Sequence, residues 1–184
     1  PKPVAKSETT NGVVINGNNN TVNIVNNTYI NNGTVYNVRT RAINTNNNII
    51  GSIRNDVLTG TARNDKMNGG AGNDILRGGL GDDTLIGGAG RDTLNGGVGS
   101  NTFDGLRDGT ADILQIQRES NTQSTDLIRT MDATDRVKIY GGAQLSFGNV
   151  EGGGLGVFDR NILQAVYTGG NFTMQQFASM VTLA

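Results

Sequence analysis

A chain of 184 residues, 35% hydrophobic and only 5% aromatic, has room for one domain or two small ones but not for a large conventional core. Its formal net charge of −1 offers no basic field for nucleic acid, and no apolar run approaches the roughly 18 residues of a membrane span. Cysteine and histidine are both absent, which removes disulfides, zinc–thiolate sites, the His-Glu-x-x-His zinc motif, Ser–His–Asp triads and Cys–His pairs.

The chain opens at Pro1 with no methionine and no hydrophobic leader, which reads as a processed, excised or trimmed product. Residues 1–50 form a first region, rich in asparagine and β-branched residues, with Asn-Asn clusters at Asn18, Asn26, Asn31 and Asn46. Short runs such as Val13-Val-Ile and Thr28-Tyr-Ile, cut by Asn and Gly, predict strands and turns. Three readings are open: a solenoid-like extension with laddered asparagines, a strand that pairs with a neighbouring molecule, or a disordered polar tail.

From Asn55 to Asp104 the chain repeats every nine residues. The four regular units are Gly69-Gly-Ala-Gly-Asn-Asp74-Ile-Leu76-Arg, Gly78-Gly-Leu-Gly-Asp-Asp83-Thr-Leu85-Ile, Gly87-Gly-Ala-Gly-Arg-Asp92-Thr-Leu94-Asn and Gly96-Gly-Val-Gly-Ser-Asn101-Thr-Phe103-Asp. Two weaker units precede them, carrying Asp56 with Leu58 and Asp65 with Met67. Each unit joins a glycine-rich turn to one polar, usually acidic, residue and a large apolar residue two positions later. Glycine suits tight turns with positive φ and close approach of backbone to backbone or ion. A flexible linker would share the glycines but has no reason to hold leucine at a fixed phase beside aspartate. A dinucleotide site fails too, since no glycine run completes Gly-x-Gly-x-x-Gly between a clear strand and a helix.

One apolar side chain per nine residues makes a thin core. Burying a leucine returns about 1.5–3 kcal/mol, against roughly 1–2 kcal/mol of backbone entropy for every residue ordered. Something else must favour folding, and calcium, which takes six to eight carboxylate and carbonyl oxygens in flexible geometry, suits the ligands present. Magnesium fits less well, because it demands near-octahedral geometry and sheds water reluctantly.

These units resemble the nonapeptide repeats of the RTX (haemolysin-type) calcium-binding family, Gly-Gly-x-Gly-x-Asp-x-U-x with U large and apolar. The resemblance implies an all-β fold, a parallel β-roll in which two units make one coil and the U residues Leu58, Met67, Leu76, Leu85, Leu94 and Phe103 point inward. It also implies calcium between turns two units apart, pairing Asp74 with Asp92 on one edge and Asp65 with Asp83 on the other. Asp56 and Asn101 extend the set with weaker or empty sites, because the first turn is degenerate and the amide lacks charge. Turn backbone at Gly69, Gly78, Gly87, Ala71, Leu80 and Ala89 completes the implied metal set.

The roll is expected over residues 51–108, and 109–184 as an antiparallel β cap with one short helix. Strands are predicted at Asp112–Gln117, Asp126–Met131, Arg136–Tyr140, Gln144–Phe147, Gly156–Phe158 and Ile162–Tyr167, with a hairpin turn at Asp159-Arg160-Asn161. Thr173 and Gln176 are spaced as a capping box, and Met174, Phe177, Ala178 and Val181 share a helical face. This tail resembles the region that follows the repeats in secreted family members, where it caps the roll and carries an uncleaved type I secretion signal.

The composition and repeats predict a non-enzymatic, extracellular, calcium-dependent structural protein of a bacterial surface, self-associating into a lattice, matrix or filament. Two other readings compete with it. One is a non-catalytic calcium-binding and secretion module of a larger RTX enzyme or toxin; the other is a carbohydrate-binding or adhesive module, for which the scattered Tyr29, Tyr36, Tyr140 and Tyr167 make a poor platform. Sequence upstream of Pro1 would separate the first two.

Overall fold

The computed structural model describes residues 47–117, 124–142 and 144–184, together with the backbone of four short strands nearer the N-terminus. Those four are β1 (Val14–Ile15), β2 (Val22–Asn23), β3 (Thr28–Asn31) and β4 (Thr34–Asn37), paired as the antiparallel hairpins β1–β2 and β3–β4. The remaining expectations for residues 1–46, including asparagine laddering and pairing between molecules, lie outside the described residues.

The repeat then lays down β5 (Asn48–Ile50), β6 (Val57–Thr59), β7 (Lys66–Ala71), β8 (Ile75–Leu80), β9 (Thr84–Ala89), β10 (Thr93–Val98) and β11 (Thr102–Asp104). Consecutive strands fall in opposite sheets, so each pair of units makes one coil. Within a sheet, strands two apart pair in parallel: β7 with β9, and β8 with β10. The nine-residue phase therefore becomes an 18-residue vertical register, and every U residue meets a U residue above and below. One column runs Leu58, Leu76, Leu94 and the other Met67, Leu85, Phe103, all at most 1% exposed. This is the expected all-β parallel roll, with its predicted inner stack in place.

The parallel ladders do not stop at Asp104. Beyond it come β12 (Ile113–Gln117), β13 (Asp126–Ile128) and β14 (Arg136–Tyr140), which pair in parallel with β10, β11 and β12 respectively. They extend the columns through Leu114 and Val137 on one side and Ile128 on the other. Antiparallel pairing in the C-terminal region is confined to β15 (Leu145–Asn149), β16 (Leu155–Asp159) and β17 (Ile162–Tyr167). The β16–β17 turn is where the sequence placed it, with Arg160 at φ 51 and Asn161 at φ 67, the left-handed pair of a two-residue hairpin loop.

β17 also pairs in parallel with β13, which sets Tyr167 on the Ile128 rung. The one α-helix among the described residues is α1 (Met174–Met180), capped by the Thr173–Gln176 box. It buries Phe177 and Met180, and the Phe177 ring stacks 5.3 Å from that of Tyr167. The predicted helical face differs here. Met174 and Ala178 are only half-buried, and Val181 leaves the helix to start β18 (Val181–Leu183), because pairing with β14 satisfies its backbone better than another helical turn would. No helix among the described residues is long and apolar enough to cross a membrane.

Candidate metal sites along the roll

The turns between strands stack along the two edges of the roll. In the intact turns the glycines at the second and fourth positions take positive φ, as at Gly70 (104°) and Gly72 (107°), where a side chain would be strained. The first glycine is required for a different reason. A Cβ on Gly69 would collide with the Asp74 oxygen Oδ2 and lie 2.6 Å from the Gly87 carbonyl oxygen. A Cβ on Gly78 would likewise strike Asp83 Oδ2 and lie 2.5 Å from the Gly96 carbonyl oxygen. Each such glycine therefore leaves a small cradle lined by its own aspartate and by a carbonyl of the next turn on that edge.

The aspartates are buried: Asp65, Asp74, Asp83, Asp92 and Asn101 are at most 3% exposed, and Asp56 is 7% exposed. One oxygen of each carboxylate has a structural task. Asp74 Oδ1 accepts the Asp56 N–H at 2.7 Å, Asp92 Oδ1 accepts that of Asp74 at 2.7 Å, and Asp83 Oδ1 accepts that of Asp65 at 2.8 Å. Asn101 Oδ1 continues the second edge by accepting the Asp83 N–H at 3.0 Å. The structure thus sets Asp74 beside Asp92 and Asp65 beside Asp83, on the edges expected. The second oxygen, Oδ2, of Asp74, Asp83 and Asp92 is buried with no hydrogen-bond partner.

Such oxygens are costly to leave charged. Burial pushes the Asp74 carboxyl up to about 7; the Asp56 N–H opposes this, and Asp92 and Asp56 add to it. Burial likewise raises Asp83 to about 6, and it raises Asp92 despite the Asp74 N–H. A buried, donorless carboxylate oxygen beside a carbonyl oxygen is an acceptor-only pocket, which suits a hard cation. No three acidic side chains converge on one point among the described residues, so most oxygens for a cation would come from backbone.

Gly69 and Gly78 line the cradles as described, whereas at Gly87 the Leu106 side chain, 3.1 Å from where a Cβ would sit, stands where the other two turns present a carbonyl. Ala71, Leu80 and Ala89 end β7, β8 and β9, where Ala71 and Leu80 donate to the Ser52 and Thr61 carbonyls and the Ala89 carbonyl accepts from Gly72. The Leu80 side chain points outward, 53% exposed.

Three further carboxylates continue the ladder beyond the glycine repeat. Asp112 Oδ1 accepts the Asp92 N–H, Asp126 Oδ1 that of Asn101, and Asp135 Oδ1 that of Asp112. Asp112 also keeps a buried, partnerless Oδ2, and burial pushes its carboxyl up to about 7. A second ladder lies one residue earlier in each turn, with Asn55 accepting from Asn73, Asn73 from Arg91, Asn64 from Asp82 and Asp82 from Ser100. The first of these ladders has a signal in the sequence. Asp112-Ile-Leu114, Asp126-Leu-Ile128 and Asp135-Arg-Val137 keep the aspartate-to-apolar spacing while losing the glycines.

Residues 50–85 and 78–109 match the RTX calcium-binding nonapeptide repeat family, in four copies. No curated protein matches the chain. The chain is similar to the solution structure of the AlgE6R3 subunit from the Azotobacter vinelandii mannuronan C5-epimerase, at 26% identity over 72% of this chain and 80% of that one, with a TM-score of 0.29. Residues 50–109 thus carry the RTX calcium-binding nonapeptide repeat, and it is this stretch that holds the cradles described above.

Proposed function

We propose that the roll is a calcium-gated structural element of an extracellular protein at a bacterial surface, a lattice, matrix or filament component. The observation that carries the calcium half is the row of buried, donorless Oδ2 atoms on Asp74, Asp83 and Asp92. At Asp74 and Asp83 they face a turn glycine and a carbonyl oxygen of the next turn, an all-oxygen ligand chemistry. Asp74 with Asp92 on one edge and Asp83 on the other are the rungs where calcium would sit, with glycine carbonyls such as those of Gly87 and Gly96 completing the shell. Calcium bound there neutralises carboxylates that burial otherwise penalises, and holds successive coils together. Asn101, an amide without charge, marks the weaker end.

The extracellular half is supported by the match between the ion and its setting, since millimolar calcium outside cells would fold the roll and scarce cytosolic calcium would leave it unfolded for export. The assembly half is supported by the uncharged, β-rich residues 11–38, which suit pairing with another copy. The chain's lack of histidine and cysteine argues for a structural rather than a catalytic task. Far-ultraviolet circular dichroism of the full chain, with calcium and with a chelator, tests the gating. A strong β signal only with calcium is expected, and equal signals in both conditions would overturn it.

A further inference from the structure

We infer that Ser52 and Thr61 determine which turns of the roll take a cation, because in the two opening turns their donors occupy the aspartate oxygen that the intact turns leave open. The inference rests on the calcium reading of the intact turns. In the turn 51–56, Asp56 Oδ2 accepts the Ser52 N–H at 2.6 Å and the Ser52 hydroxyl at 2.8 Å. In the turn 60–65, Asp65 Oδ2 accepts the Thr61 N–H at 2.6 Å and its hydroxyl at 2.9 Å. Each hydroxyl then accepts the N–H two residues on, from Arg54 at 3.1 Å and Arg63 at 3.2 Å, which closes the turn on itself.

The corresponding positions of the intact turns are Gly70, Gly79 and Gly88, with no hydroxyl to offer, and the fourth positions are Gly72, Gly81 and Gly90 in place of Arg54 and Arg63. All six glycines have positive φ, whereas none of Ser52, Arg54, Thr61 and Arg63 does. The two kinds of turn therefore follow different backbone paths. In one, two donors share a carboxylate oxygen; in the other, that oxygen has none.

Charge-assisted hydrogen bonds of this kind are about twice as strong as neutral ones, so a cation at Asp56 or Asp65 would have to displace a good pair of donors. Asp65 Oδ1 is itself buried without a partner. It is the ladder oxygen, however, matching the atom on Asp83 that accepts the Asp65 N–H, and not the oxygen held in the turn. The opening coil is thus closed by protein donors, and calcium-dependent coils stack upon it. Degenerate repeats here are a metal-free start to the roll and not merely decayed sites.

Calcium bound per full-length chain, counted by equilibrium dialysis and by calorimetry, tests this. Asp56→Asn and Asp65→Asn should leave the wild-type count unchanged, with the fold checked by circular dichroism. Conversely, Thr61→Gly with Arg63→Gly gives the 60–65 turn the sequence of the 69–74 turn, and should add about one calcium per chain. Loss of a calcium in Asp65→Asn, or no gain in a folded double variant, would overturn the inference. A wild-type chain that takes up no calcium at all would instead remove the reading on which it rests. If the double variant does not fold, the two asparagine variants decide alone.

Discussion

At the scale of single residues, the two oxygens of Asp74, Asp83 and Asp92 do different work. Oδ1 fixes the coil above by accepting its N–H, while Oδ2 of Asp74, Asp83 and Asp92 has no donor. Asp83→Ala removes both from the most regular part of the array, whereas Asp56→Ala alters a turn already closed by Ser52. Calorimetry should show the larger loss of calcium affinity for Asp83→Ala, and equal losses would refute the ranking. The raised carboxyls also set a pH dependence for the calcium-free chain. An unfolded aspartate releases its proton near pH 4, but folded Asp74 keeps its own to about 7 and folded Asp83 to about 6. Between those values the folded state binds more protons, so its stability falls as pH rises through that window. In chelator, β structure should therefore be greatest near pH 4 and weakest above about 7. With calcium the slope should reverse, since protons compete with the ion for the same oxygens. Thermal melts across pH in both conditions check both signs.

At the scale of elements, the strands are short and individually weak, and register between coils is what holds them. Leu85 lies on one column between Met67 and Phe103, fully buried. Leu85→Ala should cost about 2–5 kcal/mol of stability in calcium, read from denaturant midpoints. Gly78→Ala acts through the turn: its methyl group would meet Asp83 Oδ2 and the Gly96 carbonyl, filling the cradle from both sides. It should lower calcium affinity as well as stability, whereas Leu85→Ala should chiefly lower stability. At the C-terminal end, Thr173 caps a helix of only seven residues that holds Phe177 against Tyr167. Thr173→Ala should cost about 1 kcal/mol with no change in the number of calcium ions bound.

At the scale of the whole molecule, two parallel ladders run from β5 to β17 and from β6 to β18, so the middle turns are joined to the ends by continuous backbone pairing. Residues 11–38 carry β-formers and no charge but few large apolar groups, and such a segment gains most by completing another sheet. Pairing with a second copy would make a head-to-tail, open-ended contact of the kind that forms filaments. Deleting residues 1–40 should leave a soluble monomer that still binds calcium, while light scattering of the intact chain in millimolar calcium should show growing assemblies. An intact chain that stays monomeric at high concentration would refute the filament.

The nine-residue phase, the aspartate beside each turn and the apolar residue two positions on carried the resemblance to RTX nonapeptides, and that resemblance implied the parallel roll and its inner stack. A strict repeat leaves the chain few ways to bury one apolar residue in nine. The capping box and the Arg160-Asn161 turn were legible for a similar reason, being local hydrogen-bonding and dihedral preferences. Only the tertiary structure decided the rest. It extended the roll through β12, β13 and β14, where glycines are gone but stacking on a preformed ladder supplies the order that a weak local pattern cannot. It took Val181 from a helix into a strand, because an open ladder edge at β14 was there to be paired. It also separated the two kinds of turn, since whether an aspartate oxygen meets a hydroxyl or an empty cradle depends on how the backbone is folded around it.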